Sequence, residues 1–114
     1  MSDCIFCNIV KGNVPSQIEF EDDKIMVFKD INPQAPVHLL LIPKKHFDSL
    51  LEVDSEDSDI IGHIYMVAKK IAEQQGFNKD GFRIVMNCGR DGGQTVQHIH
   101  FHLLAGRNLQ WPPG

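Results

Sequence analysis

The sequence predicts an α+β fold in which one long helix packs on a mainly antiparallel five-stranded sheet. Three observations predict it: five short apolar segments of strand length, a single stripe of apolar residues at helical spacing, and Pro, Gly, Asn and Asp breaks that separate them. With 114 residues and 42% hydrophobic content, the chain can build one core but not two ordinary ones, so residues 1–114 are read as a single domain.

The elements follow in order. Gln17–Glu21 and Ile25–Lys29 read as two short strands joined in a hairpin at Asp22-Asp23. The segment Ile31-Asn32-Pro33-Gln34-Ala35-Pro36 cannot be a regular helix, because its two prolines remove N–H donors and bias the preceding residues away from α. It is a loop feeding the next strand. His38–Ile42 is a nearly continuous apolar run ended by Pro43, as expected of a central strand. Ile60, Ile61, Ile64, Val67, Ala68, Ile71 and Ala72 recur at three- and four-residue spacing and mark the long helix. Asp54 or Ser55 is placed to cap its start and Gly76 to end it. The acidic run Glu52, Asp54, Glu56, Asp57 and Asp59 reads as a solvated first turn suited to the positive end of the helix dipole, rather than as a cation site. Phe82–Asn87 and His98–Leu104 complete the five strands, with the turn-rich Gly89-Arg90-Asp91-Gly92-Gly93 between them.

Composition narrows the function. The formal net charge is −4, which argues against a broad basic footprint for DNA or RNA, although a few local donors can still hold a nucleotide phosphate. The opening residues have no basic stretch followed by an apolar run, and no segment approaches the ~18 apolar residues of a membrane span. The expectation is a soluble, cytoplasmic protein with no membrane partner. Three cysteines, Cys4, Cys7 and Cys88, do not suggest a disulfide framework in such a chain, and the close pair suggests a metal or nothing.

Histidine is the informative residue. In His98-Ile99-His100-Phe101-His102-Leu103-Leu104 the period of two sends the three imidazoles to one face and Ile99, Phe101 and Leu103 to the other. Solvent-facing strand surfaces are ordinarily built from Thr, Lys, Glu and Ser, and three imidazoles in register would repel once protonated. A purely metal-binding strand is the stronger rival. On an extended strand, however, His98 and His102 lie ~13 Å apart at ~3.3 Å per residue, too far for one zinc with ~2.0–2.1 Å bonds to take all three. At least one histidine has another task. A neutral imidazole attacks phosphorus readily, and its N–P adduct is labile to water. Gly92-Gly93-Gln94-Thr95 lies just upstream, where glycines let backbone approach a phosphate, successive N–H groups can form an anion-binding concavity and Thr95 can add a hydroxyl.

His98–Leu104 matches the His-φ-His-φ-His-φ-φ signature, with φ apolar, of the histidine triad (HIT) family, which the chain resembles over nearly its whole length. Phe20-Glu21-Asp22-Asp23, residues 30–36, Ile42-Pro43-Lys44-Lys45-His46, Asp91-Gly92-Gly93-Gln94-Thr95 and the ending Trp111-Pro112-Pro113-Gly114 are similar to the Hint branch, the nucleoside phosphoramidases. The resemblance implies a short N-terminal helix beside the long one, and a homodimer whose sheets join into ten strands with two purine nucleotide sites.

It also implies roles. His100 would be the covalent nucleophile, its second nitrogen held by the His98 carbonyl, with His102 and His38 lining the site and Thr95 near the phosphate. Asp30 would hold the ribose hydroxyls. Phe6, Ile9, Phe28, Ile31 and Leu40 would enclose the base, and Asn87, Gly93, Thr95 and Val96 would contact the phosphate region. The implied reaction is hydrolysis of the N–P bond of AMP- or GMP-linked amines, with no metal needed for the chemical step. The C-terminal segment would lie near the partner's active site and influence leaving-group choice. Zinc-bearing HIT proteins are similar at Cys4, Cys7, His46 and His98, which implies one structural Zn2+ in a Cys2His2 set. The chain departs from eukaryotic Hint proteins in that cysteine pair and in Cys88, which replaces an acidic residue. Other readings are a dinucleoside polyphosphate hydrolase, a nucleotidyl transferase, and a non-catalytic nucleotide-binding or zinc-stabilised interaction module. The physiological amine, the partner proteins and the biological role are not legible in the sequence.

Overall fold

The computed structural model describes residues 3–114. Its elements are helix α1 (Ile5–Val10), strands β1 (Ile18–Glu21), β2 (Ile25–Lys29) and β3 (Val37–Pro43), helix α2 (Ser58–Gln75), and strands β4 (Phe82–Met86) and β5 (Phe101–Ala105). The strands form one sheet in the order β1-β2-β3-β5-β4, every neighbouring pair antiparallel. This is the α+β arrangement expected, with α1 as the short N-terminal helix. No helix among the described residues is long and apolar enough to cross a membrane.

The two faces of the sheet differ. On one, Ile25, Val27, Leu39, Leu41, Phe101 and Leu103 pack against Ile64, Val67, Ala68 and Ile71 of α2, and this is the main core. On the other, Met26, Phe28, Leu40 and Ile42 meet the short α1 through Phe6 and Ile9, with Val14 and Val96 packed at the margin. Strands β2 and β3 are therefore apolar on both sides, which is why they read as continuous apolar runs rather than alternating ones. The hairpin turn is held by Asp22, whose Oδ1 accepts from the N–H groups of Lys24 and Ile25, while its Oδ2 meets His63 Nε2 of α2 at 2.6 Å.

Several expected boundaries shift. The strand expected over His98–Leu104 is a ladder only from Phe101 to Ala105: its pairing with β3 stops at Leu41–Phe101 and that with β4 at Met86–Phe101, and the chain upstream bends. There the Ile99 N–H donates to the Phe47 carbonyl at 2.8 Å instead. The alternation survives the loss of the ladder: Ile99 enters the α2 core while His98 and His100 touch Phe6 on the α1 side. The expected strand over Phe82–Asn87 stops at Met86, since the Asn87 amide turns to donate to the Gly92 carbonyl at 2.6 Å. The helix start is also corrected. Asp54 and Ser55 open a 3-10 turn, Ser55–Asp57, and α2 begins at Ser58; neither Asp54 nor Asp57 makes a side-chain cap. Asp57 is instead paired with Lys45 at 3.0 Å. At the other end Gly76 closes α2 in the left-handed conformation, as expected.

Gly106 joins β5 to the C-terminal segment with φ +95, and a Cβ there would lie 2.8 Å from Pro36 Cβ, whereas Gly62 sits mid-helix on α2 with nothing within 4 Å. The two glycines should answer alanine with opposite signs. Gly106→Ala should lose about 1–3 kcal/mol through strain and overlap, and Gly62→Ala should gain about 1 kcal/mol from helix propensity. Denaturant unfolding of both variants checks this; shifts in the same direction would show that Pro36 and the left-handed backbone do not constrain Gly106.

Candidate active site and candidate metal centre

Two clusters of imidazoles lie on the α1 side of the sheet, and their hydrogen bonds assign different chemistry to each. His100 is buried, 3% exposed, with Nδ1 at 2.7 Å from the His98 carbonyl. A carbonyl only accepts, so Nδ1 carries a proton, and the lone pair of the neutral ring belongs to Nε2. His38 Nδ1 accepts from the Gln34 backbone N–H at 3.0 Å, which puts the His38 proton on Nε2. That Nε2–H lies 2.9 Å from His102 Nδ1 and 3.3 Å from Asp30 Oδ2. His102 thus accepts at Nδ1 and keeps its own proton on Nε2. Adjacent imidazoles, with ring centroids 5.1 Å apart, therefore offer one lone pair and one N–H donor.

Burial pushes His102 down to about 4, with His100 and His38 adding to the effect and Asp30 opposing it. Burial lowers His38 as well, again against Asp30. Both rings are neutral at pH 7. Asp30, His38 and His102 bring three possible ligands together, but the proton that Gln34 forces onto His38 Nε2 occupies the position a cation would need. This cluster is a hydrogen-bond chain.

His100 and His102 open onto a cavity of about 290 Å3. Of the residues expected at a nucleotide, Phe6, Ile9, Phe28, Ile31 and Leu40 line its apolar part, and Asp30, Thr95 and Val96 line the rest. Asp30 is oriented by the Asn32 N–H at 2.8 Å. Asn87 and Gly93 do not line it. Nor does the glycine loop present the expected row of N–H donors: those of Gly93 and Gln94 donate inward, to the carbonyls of Arg90 and Gly89. A Cβ on Gly92 would sit 2.3 Å from the Cys88 carbonyl oxygen, so close approach within the loop is what this glycine provides. Sequence reasoning missed Val14, Pro15 and Ser16, which follow α1 and close the apolar end of the cavity. It also passed over the Gln94 side chain, which accepts from Gly89 N–H and donates to the carbonyls of Asp48 and Val96. A buried Gln beside two glycines was the available signal. A wider hollow of about 600 Å3 lies between residues 80–83 and 106–109. Its two arginines are engaged by the carbonyls of Leu109, Gln110 and Gln34, and no imidazole reaches it.

The second cluster is Cys4, Cys7, His46 and His98, whose ligand atoms all lie within 4.8 Å of one another. His98 Nε2 meets the Pro43 carbonyl at 2.9 Å and His46 Nε2 meets Asp48 Oδ1 at 2.7 Å, so both rings are protonated at Nε2 and both Nδ1 atoms carry lone pairs. Those two Nδ1 atoms are 3.1 Å apart. Cys4 Sγ is 3.4 Å from His98 Nδ1, and Cys7 Sγ is 3.3 and 3.6 Å from the Nδ1 atoms of His46 and His98. A tetrahedral zinc with N and S ligands has donor-to-donor edges of ~3.3–3.8 Å. Converging lone pairs at nearly this spacing, each ring held from behind by an acceptor, fit a Cys2His2 zinc. Burial depresses His98 to about 4, the Pro43 carbonyl opposing and His46 and His100 adding, so its ring too is neutral at pH 7.

Comparison with known proteins agrees with this geometry. A family model described as scavenger mRNA decapping enzyme C-terminal binding matches residues 3–110. A HIT-like protein of Synechococcus elongatus is 48% identical over 112 residues, which is 98% of this chain and 97% of that protein. A HIT family hydrolase from Legionella pneumophila superposes with a TM-score of 0.96 at 48% identity, covering 98% of this chain and 100% of the other. A histidine triad protein from Clostridium difficile does so with a TM-score of 0.93 at 50% identity over 96% of each. Together with the three alternate histidines at 98, 100 and 102, these likenesses show that the chain belongs to the histidine triad family.

Proposed function

We propose that this chain is a purine nucleotide-binding hydrolase that cleaves the N–P bond of nucleoside 5′-phosphoramidates through a nucleotidyl intermediate on His100. One observation carries the reading: His100 Nδ1–H is tied to the His98 carbonyl, which turns Nε2, the lone-pair nitrogen of the neutral ring, to the wall of a nucleotide-sized cavity. The lone pair attacks the α-phosphorus and the bond from phosphorus to the amine breaks. His102 Nε2–H donates to a phosphoryl oxygen as charge builds there. The amine nitrogen takes a proton from solvent as it leaves. Water then attacks the phosphorus of the adduct, returning the lone pair to His100, so that the water oxygen ends on phosphorus with one hydrogen and the other hydrogen goes back to solvent, replacing the proton on the amine. Asp30 holds the ribose hydroxyls, the apolar wall takes the base, and Thr95 and Val96 face the phosphate, with Asn87 and Gly93 shaping the loop behind them. That an overall similar protein is described as a hydrolase supports the class of reaction.

Cys4, Cys7, His46 and His98 would hold one Zn2+, a structural tie between α1 and the sheet with no open position for water. The exposed edge strand β4, with Phe82 39% exposed, supports a homodimer formed by pairing of two β4 strands across a ten-stranded sheet. Arg83 holds the carbonyls of Leu109 and Gln110 against that strand, which keeps the exposed Trp111 beside the same edge. We read residues 1–114 as one domain acting in the cytoplasm, where thiols stay reduced; no disulfide joins the cysteines.

Adenosine 5′-phosphoramidate should be turned over faster than a diadenosine polyphosphate; the reverse order would make the chain a dinucleotide hydrolase. His100→Ala should lower kcat by about three or more orders of magnitude while AMP affinity stays within about tenfold, and a mutant of near-normal rate would sink the covalent mechanism. Metal analysis of protein purified without chelator should find near one zinc per chain, lost together with thermal stability in the Cys4→Ser, Cys7→Ser double variant. A metal-free protein of unchanged melting temperature would make these cysteines ordinary small residues. The depressed His102 pKa has a sign for stability. The folded ring resists protonation until about 4 while the unfolded ring takes a proton near 6.5, so stability is lost as pH falls through that window. Urea unfolding of the wild type should show this slope, and His102→Gln should flatten part of it; identical slopes would remove His102 from the account.

A further inference from the structure

We infer that the metal centre sets nucleotide affinity by seating the wall of the base pocket. The inference rests on the nucleotide and zinc readings above and adds a coupling between them. Helix α1 has only six residues, well below the ~12–15 at which an isolated helix becomes even marginal. The sequence places two metal donors, Cys4 and Cys7, and three pocket residues, Ile5, Phe6 and Ile9, within six positions. Cys4 is also the N-cap of the helix, its Sγ accepting from the Cys7 N–H at 3.4 Å. The partners of the two thiols come from the sheet: His46 just past β3 and His98 just before β5. A cation shared by the four is thus a clip from α1 to the sheet. Without it, α1 is held by the burial of Phe6 and Ile9 in the smaller core cluster and by thiol-to-imidazole contacts far weaker than metal bonds.

The other end of the cavity has supports of its own besides the contact with Phe6. His98 is fixed from behind by the Pro43 carbonyl, and His100 by the His98 carbonyl, both within the sheet layer. Metal loss should therefore release the base wall and leave the triad in place. Cys4 and Cys7 act as positioning residues for base binding, through Phe6 and Ile9. Linkage requires the converse with the same factor: a bound nucleotide must tighten the metal.

The test is AMP binding by calorimetry to the zinc-loaded protein and to protein stripped by chelator, with ribose 5-phosphate, which lacks the base, titrated by NMR as the second probe. Stripping should weaken AMP about tenfold or more, within the usual range of coupling between sites, and leave ribose 5-phosphate within about twofold. In kinetic terms KM should rise while kcat holds. The reciprocal measurement needs no stripped protein: zinc withdrawal by a competing chelator should be about tenfold harder with AMP saturating. Phe6→Ala, which keeps all four donors, should weaken AMP while still loading zinc and should abolish the protection of zinc by AMP. Equal AMP affinity with and without zinc overturns the coupling while leaving both sites standing. Equal weakening of AMP and ribose 5-phosphate overturns it too, because the triad would then depend on the metal. Failure to load zinc overturns the metal reading, and with it the coupling.

Discussion

Three parts of the molecule depend on how one residue, His98, is held. Its ring is fully buried, with Nε2–H on the Pro43 carbonyl at the end of β3 and Nδ1 turned to two thiols and a second imidazole. Its backbone carbonyl receives the proton of His100 Nδ1. The same residue therefore registers β5 against β3, anchors α1 through its donors, and sets the tautomer of the triad's central ring. Its position explains why the strand ladder stops short of it. A residue held in a regular ladder would direct its carbonyl at a neighbouring strand; here the bend before Phe101 releases that carbonyl for His100.

The division of the sheet into two unlike faces makes room for this polar apparatus. The α2 face is an ordinary apolar layer, and burial there supplies most of the driving force for folding. The opposite face carries only six helical residues of cover, so part of it stays open as the cavity, and part is filled by imidazoles. Buried imidazoles are tolerable because each has a partner: His38 between Gln34 and His102, His100 on His98, His98 on Pro43. Neutrality makes the arrangement stable, since burial disfavours the charged forms that would repel one another.

Much of the fold was legible in local pattern. The 3.6-residue stripe from Ile60 to Ala72, the twofold alternation from His98 to Leu104 and the proline-bounded run at His38–Ile42 each report a periodicity that does not depend on distant partners. The same alternation placed three imidazoles opposite the core, and the order of motifs identified the family. Errors gathered where a boundary depends on something far away. The β5 ladder begins where its pairing with β3 and β4 stops, at Phe101; Asn87 leaves its strand for the Gly92 carbonyl; and α2 starts at Ser58, past the expected caps Asp54 and Ser55. The acidic run marked the approach to α2, but not the residue at which the helix begins.

At the site, residue types and spacing alone determined that a triad, a cysteine pair and a glycine loop were present, because alternation and a Cys-x-x-Cys step are short-range properties of the chain. Only the tertiary structure decided which nitrogen of each ring carries the proton, since that depends on whether the facing group is a carbonyl, as at His98 and Pro43, or an N–H, as at Gln34. It alone closed Cys4 and Cys7 against histidines 39 and 91 residues beyond Cys7. And it alone turned the N–H groups of Gly93 and Gln94 inward to Arg90 and Gly89, because a loop satisfies its own donors by the shape its neighbours impose, which no spacing in the sequence records.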